Sequence, residues 1–109
     1  MKPQVIPFLC AALLCVVGAV AQEPPSDALA RARSAVAERR TRDALVAYDA
    51  AIAERPSDEA LMREAARYAG ARRRFDVAAR ILSRLTTLRP DDPEAWFDLG
   101  VVRFNQARF

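Results

Sequence analysis

The sequence predicts an all-α protein in which antiparallel helix pairs stack into a solenoid, and three observations support this fold class. Residues recur at an offset of 34, the apolar residues follow helical spacing, and residues that end helices fall at the same offset. The clearest recurrences are Pro56 with Pro90 and Ala44 with Ala78. About two and a half units are predicted, at residues 25–58, at residues 59–92, and as a first half unit at 93–109.

Each complete unit carries two apolar stripes, so each is expected to form two helices joined by a short turn. The stripes of the first unit are Ala28, Ala32, Ala35 and Val36, then Ala44, Tyr48, Ala51 and Ile52. Those of the second unit are Met62, Ala65, Ala66 and Ala69, then Ala78, Ile81, Leu82, Leu85 and Leu88. Small residues on facing stripes let two helices approach closely, and the larger residues fill the space between layers.

The expected helix ends carry residues suited to those positions. Pro56 and Pro90 fall where the second helix of each unit should stop, because proline lacks an amide donor and fixes φ. Ser57 is predicted to cap the third helix, Asp92 the fifth, and Thr41 the second, since each offers a side-chain oxygen to unpaired backbone amides. The period and the helix boundaries therefore agree.

Residues 1–21 are predicted to be a signal peptide, because a lysine near the start precedes an apolar run over 5–20 and then small residues. Cleavage is predicted between Ala21 and Gln22, which leaves residues 22–109 as the mature chain. The alternative is an uncleaved anchor in the inner membrane, but a spanning helix needs roughly 20 apolar residues and this run is shorter. We therefore expect a periplasmic or secreted protein that touches the membrane only before cleavage.

Composition excludes most kinds of reactive site from the mature chain. Cys10 and Cys15 both lie in the predicted signal peptide, and the sequence contains no histidine. Disulfides, thiolate or imidazole metal sites, and Ser-His-Asp or Cys-His catalytic groups therefore cannot form after cleavage. We expect a protein that is not an enzyme and that has no catalytic, cofactor-binding or metal-binding residue.

The charge balance gives no reason to expect a nucleic-acid partner. Removing the one lysine with residues 1–21 leaves 16 arginines against 14 acidic residues, a net charge of +2. Nucleic-acid binding generally needs a clustered excess of basic side chains. A protein or peptide is the expected partner instead.

The array resembles the tetratricopeptide repeat, whose unit has 34 residues in two antiparallel helices. The matching residues are Trp96, Leu99-Gly100 and Phe109 in the third unit, Phe75 in the second, and Ala44, Ala78, Pro56 and Pro90 at the helix crossings and unit ends. The resemblance covers residues 25–109. It implies that Tyr48, Phe75 and Trp96 are packing residues of the core.

The sequence departs from the family pattern mainly in the first unit. Arg31 stands where the family usually has leucine, and Thr41 where it has an aromatic residue. Arg39 and Arg73 replace the glycine that is usual in the turn within a unit. We therefore expect those two turns to be looser than in other members.

The resemblance also implies a concave binding groove made by the first helix of each unit. The groove candidates are Arg33, Arg63, Arg67, Phe97, Val101 and Phe104, with Leu29, Val36 and Gly70 beside them. Arg63 and Arg67 are four residues apart on one helix, so both could bind the carboxylate of an acidic peptide. The alternative is that these arginines lie on a solvated face and pair with local acids such as Glu64.

The expected function is that of a protein–protein interaction scaffold in the bacterial envelope, which holds a partner segment in the groove. The last helix is apolar on several sides, which is unusual for the end of a solenoid, so we expect further repeats beyond Phe109. The alternative is the N-terminal accessory region of a longer envelope enzyme or maturation factor. The sequence downstream of Phe109 would distinguish the two.

Overall fold

A computed structural model describes residues 27–108, which form five helices and, over that range, no strand. The helices are α1 Asp27–Ala37, α2 Thr41–Glu54, α3 Glu59–Ala71, α4 Phe75–Leu88 and α5 Pro93–Arg108. The predicted all-α fold is confirmed for this part of the chain. The predicted signal peptide, with its cleavage site between Ala21 and Gln22, lies outside the described residues.

The helices are arranged as consecutive antiparallel pairs. The helix α1 packs on α2 and α3 packs on α4, and three-residue connections at 38–40 and 72–74 make each pair antiparallel. The helix α4 also packs on α5. The helices α2 and α4 begin 34 residues apart and end 34 residues apart, as their bounds Thr41–Glu54 and Phe75–Leu88 show.

The core consists mainly of alanine, with larger residues between the layers. Nearly all residues of the four predicted stripes are buried; Val36 is half-buried and Leu88 is 36% exposed. The largest side chains that are fully buried are Met62, Ile81 and Leu85. Small residues at the contacts between helices allow close approach, so the interlayer space can be filled by few large residues.

Ion pairs between units show the register in which the units stack. Arg33 pairs with Glu64, Asp49 with Arg80, and Arg63 with Glu94, each across a sequence separation of 31 residues. This separation is close to the repeat length, because equivalent turns of successive units lie side by side. Exposed pairs of this kind add about 0–1 kcal/mol each, so they mark the register more than they stabilise it.

The helix caps agree with the sequence prediction at one position and differ at another. Asp92 caps α5, since its Oδ1 accepts hydrogen bonds from the amides of Glu94 at 3.0 Å and Ala95 at 3.3 Å. The prediction that Ser57 caps α3 is wrong: Asp58 does so, with its Oδ1 accepting from the Leu61 amide at 3.1 Å. The cap must directly precede the first helical residue, and Asp58 has that place.

The prediction that Thr41 caps α2 is also wrong. Arg40 occupies the cap position without a capping side-chain bond, and Thr41 is the first residue of the helix. The Thr41 hydroxyl oxygen instead accepts from the Tyr68 hydroxyl at 3.4 Å and from Arg72 Nε at 3.3 Å. Thr41 therefore joins the first pair of helices to the second.

The turns inside the first two units are tight, which contradicts the expectation that Arg39 and Arg73 loosen them. Both arginines have left-handed backbones, with φ of 61° and 62°. The amide of Arg40 donates to the Ala35 carbonyl at 2.9 Å, and the equivalent amide of Arg74 donates to the Ala69 carbonyl at 2.8 Å. These bonds close the helix ends as in turns that contain glycine, so the arginines adopt the backbone that glycine favours.

Replacing Arg39 with glycine should therefore stabilise the protein. A side chain in the left-handed region costs about 1 kcal/mol, and glycine removes that cost. We expect the thermal midpoint, measured by far-UV circular dichroism, to rise by about 4–8 °C. Arg39→Ala is the control, because it removes the same side chain but keeps the strained backbone; an equal rise for Arg39→Ala would contradict the conformational cause.

Of the three aromatic residues expected in the core, one lies largely outside it. Tyr48 is buried and Phe75 is half-buried, but Trp96 is 50% exposed. Its indole Nε1–H donates to the Pro90 carbonyl at 2.9 Å, so the ring lies against the turn before α5. The helix that packs along α5 is α4, and it covers the opposite face, where Leu99 is buried.

Candidate functional site

A hydrogen-bonded cluster fills the junction between the first and second units. Arg33 on α1 donates to both carboxylate oxygens of Glu64 on α3, at 3.1 and 2.9 Å. The Tyr48 hydroxyl on α2 donates to the same carboxylate at 2.7 Å. The Tyr48 ring lies 6.0 Å from the Tyr68 ring, centroid to centroid. The two tyrosines leave this junction closed.

The cluster is held in its charged form at neutral pH. Hydrogen bonding from Arg33, then from Tyr48, lowers the pKa of Glu64 below its ordinary value, although burial acts in the opposite direction. Burial, followed by the hydrogen bond to Glu64, raises the pKa of Tyr48 above its ordinary value. The carboxylate is therefore ionised and the phenol is protonated, which is the combination that the hydrogen bonds require.

This cluster predicts a pH-dependent effect of Glu64→Gln. Because the folded pKa of Glu64 is lowered, its ionised form stabilises the fold above its ordinary pKa of 4.5, and that contribution disappears as the pH falls through the folded pKa. At pH 7 we expect a loss of about 1 kcal/mol in unfolding free energy, measured by urea denaturation.

The comparison with wild type at acidic pH supplies the control. Asp92 also has a lowered pKa, so wild type and Glu64→Gln should both lose stability in acid. The difference between the two proteins isolates Glu64, and it should shrink toward pH 3. A difference that stays constant from pH 7 to pH 3 would show that the charge of Glu64 does not stabilise the junction.

The junction between the second and third units has different residues at the positions 34 further along. Arginine and an acid are retained, but both tyrosines and a valine are replaced by smaller side chains. The equivalent pairs are Arg33 and Arg67, Glu64 and Asp98, Tyr48 and Leu82, Tyr68 and Val102, and Val36 and Gly70. The second junction therefore lacks the rings that close the first.

An open cleft of about 280 Å³ occupies this second junction, between α3 and α5 with α4 beneath it. Its apolar floor and its charged rim are formed by Ala66, Gly70, Leu82, Val101 and Val102, with Arg63, Arg67, Glu94 and Asp98. The volume lies near the lower end of the range of ligand sites, about 300–1,000 Å³. The cleft can thus accept a group the size of one or two side chains.

The two arginines predicted to bind one carboxylate are in different situations. Arg63 forms ion pairs with Asp92 and with Glu94, the latter at 3.0 Å. Arg67 is exposed at the rim of the cleft, and across residues 27–108 neither Arg67 nor Asp98 forms an ion pair. Glu64, the local partner considered for these arginines, binds Arg33 instead. Arg67 alone can therefore contribute an unpaired guanidinium.

The structure brings only some of the other groove candidates to the cleft. Val101 lines it, whereas Arg33 belongs to the first junction and pairs with Glu64. Phe97 and Phe104 are 70% and 62% exposed and lie beside the cleft on α5. Sequence reasoning missed the cleft residues Leu82, Glu94, Asp98 and Val102. The signal that could have found them is the loss of both tyrosines at an offset of 34.

Two searches of the described part of the chain found no further site. Between residues 27 and 108, no three acidic side chains come together in a group that could hold a metal ion. In the same range no helix is long and apolar enough to cross a bilayer.

The helices and the cleft define a helical-repeat protein with a concave surface between the first helices of its units. The tetratricopeptide repeat family model matches residues 63–109, which cover most of α3 and all of α4 and α5. The chain is a tetratricopeptide repeat protein with the corresponding all-α fold. No curated protein and no solved structure gave a match.

Proposed function

We propose that this protein is a scaffold in the bacterial envelope that holds a segment of a partner protein in its concave groove. Tetratricopeptide repeats generally mediate protein–protein interaction, and the residues matched by the family model include both helices that border the cleft. The observation that carries the proposal is the open cleft, because it combines an apolar floor with unpaired charged groups at its rim.

The proposal involves no catalysis, cofactor, metal ion or nucleic acid. The contacts available at the groove are apolar burial and hydrogen bonding, which suit a peptide chain. A cleft of this size supports a modest affinity on its own, so tight binding would need contacts over several units.

Site-specific photo-crosslinking in the cell that makes the protein tests this function. A photoreactive amino acid in place of Arg67 should crosslink the chain to a discrete partner protein, identified by mass spectrometry. The control replaces Arg84, an exposed residue of α4 that does not line the cleft. Equal crosslinking from both positions, or none from Arg67, would contradict a groove that binds a partner.

The proposed export has its own test. Mass spectrometry of the protein from the periplasm or culture medium should give a chain that begins at Gln22, because cleavage is proposed after Ala21. Recovery of the intact N-terminus in the membrane fraction would instead support the inner-membrane anchor.

A further inference from the structure

We propose that the cleft between α3 and α5 binds a tyrosine side chain of an extended partner segment. This inference rests on the proposed function and names the group that the groove recognises. It comes from comparing the two junctions of the same chain, which share their framework and differ in whether the space is filled.

The first junction shows what the space can hold. There, two tyrosine rings lie between an arginine on one first helix and an acid on the next, and the phenol of Tyr48 donates to the carboxylate of Glu64. In the second junction Leu82 and Val102 stand in place of those rings. The missing volume is therefore that of aromatic side chains, and the floor that remains is apolar.

The polar groups of the second junction match a phenol as well. Asp98 occupies the repeat position of Glu64, and Arg67 that of Arg33, but these two residues form no ion pair over residues 27–108. Asp98 can accept a hydrogen bond from a hydroxyl at the edge of a bound ring. Arg67 can lie against the ring face or bind a carbonyl of the partner backbone.

The rim does not favour an acidic peptide. Arg63 already pairs with Asp92 and Glu94, so that group of three side chains has an excess of negative charge. Arg67 and Asp98 add one charge of each sign. An acidic peptide would need both arginines free, whereas a neutral aromatic side chain with a hydroxyl donor is compatible with the charges present.

Gly70 keeps the cleft open and provides a direct variant. A Cβ at Gly70 would meet no atom within 4 Å, so a valine there, as at Val36 of the first unit, fits the helix and fills part of the cleft. Gly100 is the matched control. It also has no atom within 4 Å of an added Cβ, and it does not line the cleft.

The test titrates the purified full chain with three end-blocked tripeptides, Ala-Tyr-Ala, Ala-Phe-Ala and Ala-Leu-Ala, and follows the amide resonances of the protein by NMR. We expect the tyrosine peptide to bind roughly tenfold more tightly than the phenylalanine peptide, because only tyrosine can donate to Asp98. The leucine peptide should bind least tightly. The shifted resonances should include Gly70, Leu82 and Val102.

The variants separate recognition from general effects on folding. Gly70→Val should weaken the tyrosine peptide at least as much as the loss of its hydroxyl does, while Gly100→Val should leave its affinity unchanged. Asp98→Asn should reduce the preference for tyrosine over phenylalanine. That ratio depends on the hydroxyl contact and is insensitive to small changes in stability.

The outcomes distinguish this inference from the proposed function. Equal binding of all three peptides, or no binding, overturns tyrosine recognition, while crosslinking through Arg67 would still support a scaffold. An unchanged affinity in Gly70→Val would place the peptide outside the cleft and also overturn the inference. A tyrosine preference that is lost in Gly70→Val and reduced in Asp98→Asn supports it.

Discussion

Leu85→Ala is expected to destabilise the protein by about 2–5 kcal/mol, the range for truncation of a fully buried leucine. Leu85 is 0% exposed and lies on α4, the helix that packs on both α3 and α5. Its loss leaves a cavity that the alanine-rich surroundings cannot fill, because alanine has no rotamers with which to move into it. Urea denaturation followed by far-UV circular dichroism measures the change.

Leu88→Ala on the same helix is the matched control for that experiment. Leu88 is 36% exposed, so its truncation removes less buried area and leaves no enclosed cavity. We expect its effect to be less than half that of Leu85→Ala. If the two substitutions destabilise the protein equally, the assignment of Leu85 to the centre of the core is wrong.

Tyr48→Ala is expected to cost about 3–5 kcal/mol, the range for removing a buried aromatic ring. The Tyr48 ring packs beside Tyr68, and its hydroxyl donates to Glu64 at the junction of the first two units. The substitution removes both contacts at once, so the first pair of helices should separate from the second at lower denaturant concentration. Thermal and urea unfolding both measure this loss.

Tyr48→Phe divides that effect between ring and hydroxyl. Phenylalanine keeps the packing and loses the hydrogen bond, so we expect a loss of about 1 kcal/mol. Tyr48→Leu reproduces the residue found at Leu82 and should give an intermediate loss. If Tyr48→Phe were as destabilising as Tyr48→Ala, packing of the ring would not be what closes the junction.

The repeat and the core were predictable because both depend on regular spacing. A helix pair hides its apolar stripes against the next pair, so residues such as Ala66 and Leu85 had to recur at the period of the unit. The structure buries both of them. The spacing of apolar residues alone was enough to identify these positions.

Local backbone details were less predictable, because neighbouring residues offered the same chemistry. Ser57 and Asp58 can both cap a helix, and the choice depends on a shift of one residue in where α3 begins. Arg39 was expected to loosen its turn, yet the pair of helices holds it in the left-handed conformation. Tertiary packing decided both cases.

The site was partly predictable for a similar reason. The groove position of Arg63 followed from the repeat pattern, but its ion pair with Asp92, 29 residues away, depends on how the units stack. The equivalence of Tyr48 and Leu82 was visible in the sequence. Its meaning needed the structure, which shows that Tyr68 and Val102 change in the same direction at the same junction.

The stacking of successive units is the basis of the core, of the cleft and of the proposed function. The chain contains two tyrosines, Tyr48 and Tyr68, and their rings lie 6.0 Å apart across the first junction. In a deuterated chain with protonated tyrosine, a nuclear Overhauser effect between the two rings is therefore predicted. Its absence from a sample that is fully helical by circular dichroism would contradict the stacked arrangement.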